Sequence, residues 1–307
     1  MATTAVGQSG GVWARWRDLA RPQRLRVGGC AAYLLLLTLL FLQPLIKMTA
    51  YAAQSDLNSY ILMVPFISGY LLYIERGRRS AMYRSSIAGT VAMGGTGIAA
   101  LVAAIGWRGS LSINDGLALM ALSFVCFVVA GGFLFLGSKW MVAAAFPVAF
   151  LFFMVPLPDA AVTWLKVASA QASASAAQLF FSIAGVPVSQ DGVVLSIPVM
   201  TLKVANECSG IHSTWVLFIS SLLISHLFLK TQWRRIVLVA FVIPLGILRN
   251  GFRILVIGLL CEYVGPYMID SPIHHHGGPL FFALSLIPLF ILLWWLWHQE
   301  RRLNLAD

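Results

Sequence analysis

"IVLVAFVIPLGILRNGFRILVI", residues 236–257, holds 22 residues of which Arg249, Asn250 and Arg253 are the strongly polar ones. About 20 helical residues cross the ~30 Å hydrocarbon layer of a bilayer, so the run reads as a membrane-spanning helix. An arginine at the bilayer centre costs at least about 2.5 kcal/mol on insertion scales, so the polar residues in this span need an explanation. Arg249 and Arg253 are four apart and share a helix face. Between them, Asn250-Gly251 marks a local opening where backbone or substrate approaches closely.

The rest of the chain extends this reading. Of its 307 residues 59% are hydrophobic and 10% charged, against about 25% charged in soluble domains. Comparable apolar runs occupy 27–46, 57–74, 86–105, 116–136, 140–156, 210–229 and 278–298. They are continuous and do not alternate, which favours helices over a β-barrel. The expected fold is an all-α polytopic membrane protein with about eight transmembrane helices. A basic cytoplasmic segment, 1–26, precedes a single membrane domain, 27–298, and a cytoplasmic tail, 299–307. No cleavable signal peptide is expected, because the first apolar run is long enough to span and no small-residue cleavage site stands out.

Lys and Arg cluster in alternate loops: Arg15 to Arg26, Arg76 to Arg84, Lys139, Lys230 with Arg234 and Arg235, then Arg301 and Arg302. By the positive-inside rule both termini are cytoplasmic, as expected for a multi-pass protein of the plasma (inner) membrane. The net charge of +10 is scattered over these loops, so the expected partner is the lipid bilayer and not nucleic acid.

Residues 157–209 do not read as an ordinary span. In "VTWLKVASAQASASAAQLFFSIAG", Val162, Leu165, Ala168, Ala172, Ala176 and Leu179 form one apolar face. An amphipathic helix at the interface, or packed on the bundle, is expected there. After it, Asp191-Gly192 sits between β-branched runs, the signature of a short hairpin. With five spans before it, this insert is extracytoplasmic.

Three polar clusters remain: Asn206-Glu207-Cys208-Ser209-Gly210, "LRNGFRI" at 248–254, and "SPIHHHGGPLFF" at 271–282. The topology brings all three to the same outer membrane boundary. Each also has a plain alternative. Arg249 snorkels to the headgroups or pairs with an acid such as Glu207; His212 is solvated; Cys30 and Cys126 are small hydrophobes inside spans. A contiguous triple histidine is a poor metal cage, since adjacent side chains diverge. No metal and no cofactor are expected. A thiol is a nucleophile only as thiolate, and a helix N-terminus, Arg or His⁺ lowers its pKa. Converging clusters supply Cys208 with these aids, with a His for proton transfer and an Arg for the developing oxyanion.

These residues resemble the exosortase/archaeosortase family of integral membrane cysteine transpeptidases. The likeness rests on Cys208-Ser209-Gly210 entering a helix, on Asn250-Gly251-Phe252-Arg253, and on His274 ahead of Gly278 and Phe281-Phe282. It extends to "DLNSYILMVPFISGYLLYIERGRR" (56–79), "FPVAFLFFMVPLP" (146–158) and the approach to the cysteine, 184–210, and covers about residues 30–290.

The resemblance implies Cys208 as nucleophile, Arg253 as oxyanion stabiliser and His274 as general acid/base, with His275 and His276 as register alternatives. Glu207, Ser209, Gly210, Arg249 and Asn250 support them. The implied partner is the C-terminal tail of secreted proteins: a short motif such as Pro-Glu-Pro, a transmembrane helix and a basic end. An unidentified acceptor nucleophile, or water, releases the product. Glu207 departs from the small apolar residue usual before the cysteine. A transporter is the second reading, although charges gathered at one boundary, with no internal repeat, fit it less well. A metal-dependent hydrolase using His274 to His276 is the third.

Overall fold

The computed structural model describes residues 21–55, 57–75, 84–204, 210–270 and 277–303. They form an all-α polytopic membrane protein with one small sheet. By internal contacts the chain divides into two compact units, Met1–Asp159 and Ala160–Asp307.

The first unit contains α1 (Arg21–Leu40), α2 (Leu42–Gln54), α3 (Val64–Ile74), α4 (Ile87–Gly106), α5 (Ile113–Phe135), α6 (Ser138–Ala143) and α7 (Ala145–Phe150). Small residues bring its helices together. The Ser123 hydroxyl donates to the Gly97 carbonyl at 2.9 Å across the α4–α5 pair. Gly89 and Gly97 lie against the rings of Phe133 and Phe127, the close packing that association without a hydrophobic driving force favours. Ser112 caps α5 by accepting from the Asp115 backbone N–H at 3.0 Å.

The second unit contains α8 (Asp159–Ile183, which begins at the boundary), strands β1 (Ser189–Asp191), β2 (Val194–Ser196) and β3 (Thr201–Lys203), then α9 (Ile211–Phe228), α10 (Gln232–Tyr263) and α11 (Gly278–Leu303). The sheet is antiparallel in the order β1-β2-β3. Asp191 pairs with Val194, which makes Gly192 and Val193 the two turn residues. Gly192 has φ +59° and no described non-glycine residue has positive φ, so the turn is of the II′ kind with glycine first. The sheet packs on α8 through Leu195, Ile197 and Leu202 against Ala170, Ala174, Ala177 and Phe181.

Helix α10 is the axis of this unit. Gly246 faces Thr214 of α9, Gly251 faces Ala176 and Ala177 of α8, and Gly258 faces Phe181. A second core joins α10 to α9 and α11 through Leu217, Leu238, Val242, Leu245 and Leu289.

Two expectations change. Among the described residues, six helices are long and apolar enough to cross a membrane: Arg21–Leu40, Ile87–Gly106, Ile113–Phe135, Ile211–Phe228, Gln232–Tyr263 and Gly278–Arg302. The segments expected at 57–74 and 140–156 are not single long helices. The first is a 3-10 turn, Ser59–Leu62, followed by the 11-residue α3, with Pro65 in its opening turn; 11 helical residues reach only about 16 Å. The second breaks at Ala144 between α6 and α7. Pro147 explains the break, because a proline ring collides with the carbonyl four residues earlier, here that of Ala143, where α6 ends.

The other change concerns α8. The expected helix forms, but its buried stripe is Ala170, Ser173, Ala174, Ala177 and Phe181. The face expected from Val162 to Leu179 is not the one buried in the core, and Leu179 is exposed. Close approach of α10 at Gly251 needs small partners, and Ala176 and Ala177 provide them.

Candidate active site

The site is built outward from the start of α9. Gly210 is its N-cap residue, with φ +66° and ψ 11°. That left-handed conformation costs an L-residue about 1–2 kcal/mol and glycine little. Its surroundings exclude a side chain as well. A Cβ at Gly210 would sit 3.0 Å from Nη2 of Arg249 and 3.1 Å from Cγ and Oδ1 of Asn250.

The Gly210 carbonyl gathers an unusual number of donors. The Thr214 backbone N–H closes the first helical turn onto it at 3.0 Å. The Thr214 hydroxyl donates to it at 3.0 Å and the Ser213 hydroxyl at 3.2 Å. Nη2 of Arg249 donates at 3.0 Å from α10, and also reaches Oγ1 of Thr214 at 3.1 Å. Arg249 is only 8% exposed and Asn250 2%. The alternative in which Arg249 snorkels to the headgroups therefore does not describe its position: its guanidinium turns inward to α9.

Further along α10, Phe252 makes edge-on ring contacts with Phe180 of α8, centroids 6.5 Å apart, and with Phe281 of α11 at 6.3 Å. Phe281 is buried, and its backbone N–H donates to the Gly277 carbonyl at 3.1 Å. The start of α11 is thus held against the middle of α10. Arg253 lies one turn beyond Arg249 on the same face and is half-buried.

Cys208, Glu207 and Ser209 lie outside the described residues, as do His274, His275 and His276. The described flanks of all three polar clusters do meet. Gly210 represents the first, Arg249 to Arg253 the second, and Gly277 to Phe282 the third. His212 is exposed on the first turn of α9.

Two features were not anticipated from the sequence. Ser213 and Thr214 stand three and four residues after Gly210, the spacing at which a hydroxyl can bond back to an earlier carbonyl. Beside them lies an apolar cavity of about 490 Å³ bounded by α8, α9 and α10, with Trp164, Ala168, Thr214, Trp215 and Ile247 among its walls.

Neither the curated proteins nor the solved structures compared with the chain include a match. The family model described as transmembrane exosortase matches residues 48–291, a stretch that contains all three polar clusters, α8 to α10 and the first half of α11. The chain belongs to the transmembrane exosortase family.

Proposed function

We propose that the site is that of a membrane-embedded cysteine protease and transpeptidase that cleaves the C-terminal sorting tails of secreted proteins. Family membership gives the general role, membrane transpeptidation in protein sorting; the substrate, the residues and the chemistry are this reading. The Cys208 thiolate attacks the scissile carbonyl carbon of the tail. Arg253 carries the negative charge that develops on the carbonyl oxygen. The C–N bond then breaks, His274 protonates the leaving amine, and a thioester remains on Cys208. An acceptor nucleophile, or water, attacks the thioester, returns a proton to the imidazole and frees the thiolate.

The observation that carries the reading is the meeting of three distant stretches on one segment of α10. Arg249 binds Gly210, two residues after Cys208, and Phe252 packs on Phe281, five residues after His276. The site is proposed to face the extracytoplasmic boundary of the inner membrane, with both termini cytoplasmic. The test is Cys208→Ala in cells that express a tailed substrate. Full-length substrate is expected to accumulate while the variant inserts at the normal level; normal processing would remove Cys208 from its role.

A further inference from the structure

We propose that Arg249 is a positioning residue for the nucleophile, acting through the Gly210 carbonyl to fix the short stretch of backbone that joins it to Cys208. The inference rests on the reading of Cys208 as nucleophile.

Helix geometry alone requires a single donor for the Gly210 carbonyl, the backbone N–H of Thr214, which is already present. A carbonyl oxygen has two lone pairs, yet two hydroxyls and a guanidinium from another helix converge on this one. The guanidinium is the costly member. Arg249 is nine-tenths buried inside a membrane-spanning helix, and its Nη1 is buried with no hydrogen-bond partner among the described residues. Nor does any described carboxylate form an ion pair with it. A guanidinium kept under those conditions, with Nη2 on a backbone carbonyl and on the hydroxyl that shares it, holds a piece of backbone in place.

What it holds is covalently tied to the thiol. Consecutive Cα atoms are about 3.8 Å apart, so Cys208 Cα lies within about 7.6 Å of Gly210 Cα whatever the path between them. The positive φ of Gly210 sets the direction in which the chain leaves α9. Arg249 and Asn250 close the space into which Gly210 would otherwise relax. Among the described residues the hydrogen bonds of Arg249 go to Gly210 and Thr214, so the influence proposed for it passes through the backbone that leads to Cys208.

The experiment needs no knowledge of the tail motif. Cys30, Cys126 and Cys261 are buried; replacing them by Ala leaves Cys208 as the single thiol in the full-length protein in nanodiscs. The rate of Cys208 alkylation by iodoacetamide is followed from pH 5 to pH 10 in this background, with Arg249→Gln, Arg249→Lys and Thr214→Val. The parent is expected to titrate well below the about 8.5 of a free cysteine. Arg249→Gln is expected to move the profile toward that value and slow alkylation at pH 6 by about tenfold. Thr214→Val, which retains the backbone donor, is expected to give a smaller shift in the same direction, and Arg249→Lys to restore part of it. A depressed parent profile that Arg249→Gln leaves in place overturns the positioning role and spares the nucleophile. A parent that titrates as a free thiol overturns both.

Discussion

Helix α10 carries two largely buried arginines that reach sideways to other segments, and they are held in opposite ways. Near its start, Arg234 pairs with Glu300 of α11 at 3.4 Å, the two side chains 12% and 7% exposed. Glu300 also accepts from the backbone N–H of Lys230 at 3.0 Å and of Thr231 at 2.7 Å, and bonds the Thr231 hydroxyl. In one residue the carboxylate neutralises a cation and satisfies the two backbone donors immediately before α10. Arg249, in the middle of the same helix, meets a neutral carbonyl and a hydroxyl. A complete ion pair stabilises a junction. A cation whose partners among the described residues are neutral acceptors is proposed to serve placement instead.

This contrast is broken most severely at Glu300. Removing one partner of a buried pair costs about 3–5 kcal/mol because the other charge stays uncompensated. Glu300→Ala is therefore expected to lose about 3 kcal/mol or more, measured as the unfolding midpoint in detergent. Tail cleavage per folded molecule is expected to be unchanged, since Glu300 bonds Arg234, Lys230 and Thr231 at the start of α10 and Arg249 stands in its middle. A cleavage defect exceeding the loss of folded protein would mean that the α10–α11 junction reaches the site. The opposite pattern is expected at Gly210. A Cβ there meets the guanidinium at 3.0 Å and Asn250 at 3.1 Å, and displaces the segment that leads to Cys208. Misplacement of about 1 Å can cost 10²-fold in rate, so Gly210→Ala is expected to lower cleavage by about that factor. Its cost in stability is expected to be about 1–2 kcal/mol, from the left-handed backbone.

Much of this arrangement is visible in the residues themselves. The 236–257 run announces a span, and Asn250-Gly251 announces a close approach, which Gly251 makes against Ala176 and Ala177. Asp191-Gly192 announces the hairpin. Other features escape for a physical reason. In a bilayer both the lipid-facing and the core-facing sides of a helix are apolar, so hydrophobicity does not point inward. On α8, Leu179 is exposed while Ser173 is buried; residue size, not polarity, marks the packed face. Hydropathy likewise passes over the break after Ala143, where the effect of Pro147 falls four residues upstream. Gly210 and Arg249 are 39 residues apart, and Ser213 and Thr214 look like ordinary helix residues until the carbonyl they share is seen.

The smallest effect isolates what Gly210 owes to its neighbours. Gly192 has nearly the same backbone angle, φ +59° against +66°, but a Cβ there would meet nothing within 4 Å. Gly192→Ala therefore carries the conformational cost of the turn alone, about 1 kcal/mol, with no displaced side chain. It is expected to lower the unfolding midpoint slightly and leave both tail cleavage and the alkylation profile of Cys208 as they are. Subtracting its stability loss from that of Gly210→Ala leaves the part due to Arg249 and Asn250. If the two glycine variants prove equally costly in cleavage as well as stability, the close packing at Gly210 has no consequence for the nucleophile. The distinction between the two arginines of α10 would then have no functional counterpart.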